Sequence, residues 1–259
     1  PATRKAAARK PAPRKAGAKD AGTPAVKGAK RGALPDFVPP MLATLVSSAP
    51  SGKEWLHEIK FDGYRLQARV EDGTVRLLTR SGLDWSERFG DGVLKALAAL
   101  PVETALIDGE LVVEAGTGAS DFSALQADLS EGRSDRFVFY AFDLMHLDGM
   151  DLRGAALAER KALLQPLLAE APDTLRYSDH FAESGDMVLQ HACRLSLEGI
   201  VSKLADSPYR AGRGKAWVKS KCSARQEFVI GGYVPSTVSP KLIGSLVLLS
   251  LIHISEPTR

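Results

Sequence analysis

Lys60-Phe61-Asp62-Gly63 sets a lysine between two strand-like runs. Four more charged or aromatic segments follow in order: Asp108-Gly109-Glu110, Tyr140-Ala141-Phe142-Asp143, Glu198-Gly199-Ile200-Val201-Ser202-Lys203 and Trp217-Val218-Lys219-Ser220-Lys221. A lysine amine attacks an electrophile only when deprotonated, and its reference pKa is about 10.4, so it becomes a nucleophile where cations or a metal lower that value. Lys203, Lys219 and Lys221 would supply such a field and clamp phosphate oxygens. In an alternating strand Lys219 and Lys221 point the same way, so both reach one phosphate group. Glu110 and Glu198 are hard oxygen ligands, suited to magnesium held jointly with phosphates. Tyr140 and Phe142 share a strand face on which a base can stack. Together these residue types describe nucleotidyl transfer.

Each segment also has a duller explanation. Lys-x-Asp-Gly fits a hairpin turn with an exposed lysine, and Glu110 and Asp143 fit surface acids at strand ends. Glu198 could end a helix, although an acid there opposes the helix dipole. Phe142 could belong to the core, and Lys219 and Lys221 to a solvated strand face. Taken singly these explanations win; the joint arrangement of the four segments that follow Lys60 reverses that.

Such a set needs strand ends and junctions to hold it. Hydrophobic alternation predicts strands over 56–59 and 64–70, then 74–79 after the Asp72-Gly73 turn, with further strands over 105–107, 111–113, 137–144, 199–202, 216–219 and 227–233. Helices are predicted over 93–100, 122–129, 157–169 and 187–197, the third a leucine-rich packing helix. The result is an α+β fold of mostly antiparallel strands with helices outside. The five motifs fall at strand edges or strand-to-loop junctions.

With 259 residues, 44% of them hydrophobic, the chain has material for one or two domains with a buried core. Two cysteines, Cys193 and Cys222, exclude a disulfide scaffold, and Cys193 reads as a buried small apolar residue. The five histidines show no metal-ligand spacing. The absence of a long apolar run or a secretory leader points to a cytoplasmic protein with no membrane contact. The net charge of +3 hides an asymmetry: residues 1–34 hold ten of the 34 Lys and Arg against one of the 31 acids, so this head carries +9 and the rest −6. Residues 1–34 therefore read as a disordered basic linker, either a solvated tether or an arm that holds nucleic-acid phosphates. The start at Pro1, without methionine, reads as part of something longer, and 250–259 resembles a translated sequencing-adapter tail rather than native protein.

The five segments resemble the motifs of the covalent nucleotidyltransferases: ATP-dependent DNA ligases, RNA ligases and mRNA-capping guanylyltransferases. Their surroundings are Trp55-Leu56-His57-Glu58-Ile59 before Lys60, Thr79-Arg80-Ser81-Gly82, Leu147-Asp148-Gly149 and Ser207-Pro208-Tyr209-Arg210. These are similar to the ligase domain of bacterial LigD-type end-joining ligases, over about residues 36–245. The resemblance implies an ATP-grasp-like adenylation domain over 35–224 and a truncated start of an OB-fold domain over 225–259. It implies that Lys60 forms lysyl-AMP from ATP, with Glu58 on the adenine amine, Arg65 on the ribose and Phe142 stacked on adenine (Tyr140 being the second choice). Glu110 would meet the ribose and the metal, Glu198 would bind the metal, and Lys203, Lys219 and Lys221 would steady phosphates. Arg80 would meet the nucleotide or the nicked strand. The implied cofactors are ATP with Mg2+ or Mn2+. The implied partners are double-stranded DNA with nicks or ends and a Ku-type end-binding protein, met by a monomer at the bacterial nucleoid. Two other readings remain open: RNA ligation or capping on the same fold, and a non-catalytic nucleic-acid-binding module whose head does the binding.

Overall fold

The computed structural model describes residues 26–222, 228–239 and 242–250. The chain divides into two units, residues 1–220 and 221–259. In the first unit the elements run β1 (Lys30–Arg31), β2 (Met41–Leu45), β3 (Trp55–Ile59), β4 (Tyr64–Glu71), β5 (Thr74–Thr79), α1 (Asp91–Ala98), β6 (Thr104–Val113) and α2 (Phe122–Ser130). They continue with β7 (Phe137–Leu147), β8 (Met150–Asp151), α3 (Leu157–Leu167), β9 (Leu175–Tyr177), β10 (His180–Phe181), α4 (Gly185–Arg194), β11 (Gly199–Leu204) and β12, whose Gly212–Lys221 span reaches the unit boundary. In the second unit β13 (Phe228–Pro235) pairs antiparallel with β14 (Ile243–Ser250). Residues 1–25 and 251–259, with most of the expected disordered head and adapter-like tail, lie outside the described residues.

Two sheets carry the first unit. One has seven strands in the order β1-β8-β7-β6-β4-β5 with β9 beside β7; the other has five, β10-β3-β11-β12-β2. β7 is a nearly unbroken apolar run, the pattern of a strand covered on both faces, and all of it but Tyr140 is buried. On one face Phe137, Phe139 and Leu144 pack with Val93 and Leu97 of α1 and Leu164 of α3. On the other, Leu106, Phe142 and Met145 meet Met41, Tyr209 and Trp217 from the segments of the smaller sheet. Val188 and Ala192 of α4 cover Ile200 of that sheet.

β3 and β4 are consecutive in the chain yet belong to different sheets. Lys60-Phe61-Asp62-Gly63 is therefore the crossover between sheets and not the hairpin turn that would explain it away. Gly63 is required there by close approach, because a Cβ on it would stand 2.1 Å from the Leu111 carbonyl oxygen.

Several expectations change. Asp72 and Gly73 form the predicted turn, both at positive φ (47° and 76°). Asp108-Gly109-Glu110, expected at a junction, lies inside the continuous strand β6, where register shifts against β7 occur at Leu106/Ile107 and Asp108/Gly109. Glu198 is past the end of α4, just before β11, so it does not close a helix. Of the head expected to be disordered through residue 34, the described part is ordered: Lys30 and Arg31 pair with Asp151 and Met150. Cys193 is exposed on α4 rather than buried.

The packing helix α3 also turns two cations inward. Arg160, fully buried, forms a bidentate pair with Asp143 (2.7 and 2.8 Å) and donates to the Ala155 and Ser207 carbonyls at 2.6 and 3.0 Å. Removing one partner of a buried pair strands the other charge at a cost of about 3–5 kcal/mol. Asp143→Ala is thus predicted to lower the unfolding free energy measured by urea titration by that order, whereas Asp91→Ala, in the exposed Lys95–Asp91 pair on α1, leaves it nearly unchanged.

Candidate active site

Beside the crossover lies a cleft of about 680 Å³, within the range of small-molecule sites. Eight of the ten residues singled out from sequence line it: Glu58 and Lys60 from the end of β3 onward, Arg65 of β4, Arg80 after β5, Glu110 of β6, Phe142 of β7, Lys203 of β11 and Lys219 of β12. Trp217 and Ser178 line it as well. Glu198 joins at its margin through an ion pair with Lys60, whose Nζ also stands 3.4 Å from its Phe61 carbonyl acceptor. Lys60 and Glu198 keep 17% and 23% of their side-chain surface, so both remain reachable. Lys221, the first residue of the second unit, is exposed at the end of β12.

Arg65 is tied down almost completely. Nε and one terminal nitrogen donate to the two Asp108 oxygens (3.1 and 2.7 Å), that nitrogen also reaches Tyr209 Oη at 3.4 Å, and the other donates to the Met41 carbonyl at 2.6 Å. A guanidinium has five N–H donors, so one is left for a ligand. Its carbon stands 5.3 Å from the Phe142 ring centre and 5.6 Å from that of Trp217. Burial opposes its charge, but Asp108 outweighs this and raises its pKa.

Phe142 and Trp217 meet edge to face, 6.0 Å between ring centres. Lys203 Nζ lies 4.3 Å from each ring centre and donates to Glu58 Oε2 at 2.7 Å. Burial pulls the Lys203 pKa down to about 8 against the Glu58 charge. Glu58 is itself buried, which alone would raise its pKa; Lys161 and Lys203 prevail and hold its carboxyl below the usual range.

Tyr140 departs from the expected arrangement. It alternates with Phe142 along β7, yet its ring stacks on Phe61 at 4.1 Å and lines a second cavity of about 270 Å³. Of the two aromatics, the cleft contains Phe142 alone.

Sequence reading missed four supporting residues. Lys161 looked like one polar position of a packing helix. Asp108 was noted only as part of a tripeptide, and Tyr209, whose hydroxyl donates to Asp108 Oδ2 at 2.6 Å and accepts from the Met41 N–H at 3.0 Å, only as flanking text. Trp217 had no role assigned. An acid or ammonium at an inward position of an element is the signal that could have found the first two, since buried charges need partners.

Residues 40–221 match the family model of the ATP dependent DNA ligase domain. The multifunctional non-homologous end joining protein LigD of Pseudomonas aeruginosa is 46% identical over 236 residues, covering 88% of this chain and 28% of that protein. LigD of Mycobacterium tuberculosis (strain H37Rv) is 38% identical over 207 residues, covering 76% and 26%. The chain thus spans little more than a quarter of the curated relatives it matches. Among solved structures, the ligase domain of M. tuberculosis LigD superposes with a TM-score of 0.66 at 35% identity, covering 82% of this chain and 68% of that one. A mycobacterial DNA ligase D complexed with ATP and MES gives 0.67 at the same identity and coverage. The family match runs from the residue before β2 to the last residue of β12 and takes in every strand that lines the cleft: the chain belongs to the family of ATP-dependent DNA ligase domains.

Proposed function

We propose that this domain forms a covalent lysyl-AMP at Lys60, passes the AMP to a 5′-phosphate of DNA and seals the strand in end-joining repair. The observation that carries this reading is the position of Lys60: partly accessible, at a fixed crossover, opening onto a cleft that also holds Phe142, Lys203 and Lys219. Burial lowers the pKa of the Lys203 amine, but that amine is nearly sealed off and spends its protons on Glu58 and two aromatic rings. Access selects Lys60.

In this mechanism adenine stacks on Phe142 and its amine meets Glu58, while the spare Arg65 donor and Glu110 face the ribose. The Lys60 amine, relieved of a proton with Glu198 beside it, attacks the α-phosphorus of ATP. An N–P bond forms, the bond to the β-phosphate oxygen breaks and pyrophosphate leaves. Lys219 steadies phosphate oxygens, Lys203 adds its positive charge to the cleft it lines, and Arg80, exposed at the cleft rim, meets nucleotide or DNA phosphate. A DNA 5′-phosphate oxygen then takes AMP from Lys60, and the neighbouring 3′-hydroxyl displaces AMP. The transfer turns a poor electrophile, a phosphate monoester, into an activated one.

A divalent cation fits the donor set. Among the described residues no cluster of three or more metal-ligating side chains exists, but magnesium commonly takes one or two carboxylates together with substrate phosphates. Burial pushes the Glu110 carboxyl up to about 8 despite Arg65 and Lys60, so its charged form gains from a further cation beside it. Glu110 and Glu198 would hold Mg2+ or Mn2+, which would neutralise phosphate charge and favour loss of the amine proton. The domain is read as working on DNA nicks or ends in the bacterial cytoplasm, with a Ku-type end-binding protein as recruiter; among the described residues no helix is long and apolar enough to cross a membrane.

Incubation with ATP labelled at the α-phosphate, followed by denaturing electrophoresis, is predicted to label the wild-type chain and not Lys60→Ala. Labelling from GTP alone would reject the ligase reading. Glu110 adds a pH dependence. Its folded pKa is about 8 against an ordinary 4.5, so the folded protein keeps a proton that the unfolded chain has released across that window. Nucleotide-free protein should lose stability as pH climbs from about 5 to 8, and Glu110→Gln should flatten that slope in urea titrations.

A further inference from the structure

Glu58 is the centre of a buried three-residue cluster reaching outside the motifs. Lys161 Nζ, from α3, donates to Glu58 Oε1 at 2.8 Å and to the Ser178 carbonyl at 2.9 Å, and lies 4.5 Å from the Tyr177 ring centre. Glu58 Oε2 accepts from Lys203 Nζ at 2.7 Å and from Ser178 Oγ at 3.1 Å. A carboxylate offers about four acceptor sites, and three are taken here. The fourth belongs to Oε1, the oxygen that Lys161 holds, and Glu58 lines the cleft.

We propose that Lys161 is a positioning residue for base selection: it fixes Glu58 so that the one acceptor site left on Oε1 receives the 6-amino group of adenine. This rests on the nucleotide-binding reading above and extends it to a residue outside the five motifs. A carboxylate is an acceptor only, so it takes an amino group and repels the 6-oxo group of hypoxanthine or guanine. The selectivity depends on geometry. Without Lys161, Lys203 and Ser178 both draw the carboxylate from the Oε2 side, and nothing orients Oε1. The cluster would then be a neutral Glu58–Lys203 pair, so Lys161→Met removes orientation while leaving no charge unpaired.

The test compares lysyl-nucleotide formation from ATP and from ITP, which differ at position 6, using the full chain. A hydrogen bond to a charged group contributes about 1.5–3 kcal/mol, a factor of roughly 10–150. Lys161→Met should therefore cut the ATP-over-ITP preference in kcat/KM at least about tenfold, mainly through a higher KM for ATP, and Lys161→Arg should restore most of it. If both nucleotides lose equally, or the preference is unchanged, Lys161 is merely structural and the proposal falls. Should Lys161→Met not fold, the pair Glu58→Gln and Glu58→Gln/Lys161→Met decides: the two should show the same reduced preference, and a further drop in the double variant overturns the proposal. Wild-type protein that forms no lysyl-nucleotide from ATP would sink the functional reading itself, a result distinct from unchanged selectivity in the variants.

Discussion

The change of sheet between Ile59 and Tyr64 governs the site. β3 is held in the five-stranded sheet by β10 and β11, and β4 in the seven-stranded sheet by β5 and β6. Four residues must bridge them, and the bridge presses so closely on Leu111 that only a glycine fits at position 63. Both ends of the bridge are anchored in hydrogen-bonded sheets, so the Lys60 amine cannot wander far from the cleft those sheets enclose. Positioning of this kind is what converts a surface amine into an effective reactant.

Charge burial is the second organising feature. Asp108, Asp143 and Glu58 are all buried acids, and each is met by cations: Arg65, Arg160, and the Lys161–Lys203 pair respectively. Lone buried charges would be prohibitive. Paired in this way they hold the side chains that line the cleft in single orientations. Arg65 keeps one donor and Glu58 one acceptor site, so the cleft presents a few directed polar groups on an aromatic floor. That is the composition expected of a nucleotide site.

The chemistry was legible in the sequence because it is written in short local motifs. Lys60, Glu110, Glu198 and Lys203 each sit within a few residues of a strand end or glycine that also marks the motif. All four helices and most of the longer strands were legible from periodicity, though β6 read as two short strands parted at Asp108-Gly109-Glu110. What escaped notice depends on partners distant in sequence. β1, β8 and β10 are two residues long and exist only through the strands they pair with. That β3 and β4 part company could not be read from alternation, which is identical for a hairpin and a crossover. Tyr140 and Phe142 share a strand face on paper, but Tyr140 is drawn to the Phe61 ring and to Glu114 and Arg176, partners that alternation does not reveal. Lys161 was hidden because a leucine-rich helix normally turns its lysines outward.

We hold that one amine, Lys60, chosen by its access to the cleft, carries the nucleotide. Peptide mapping by mass spectrometry after incubation with ATP and a divalent cation tests it most directly. The account predicts an AMP adduct on the peptide containing Lys60 and on no other. An adduct on Lys203, the neighbouring amine of depressed pKa, would contradict it.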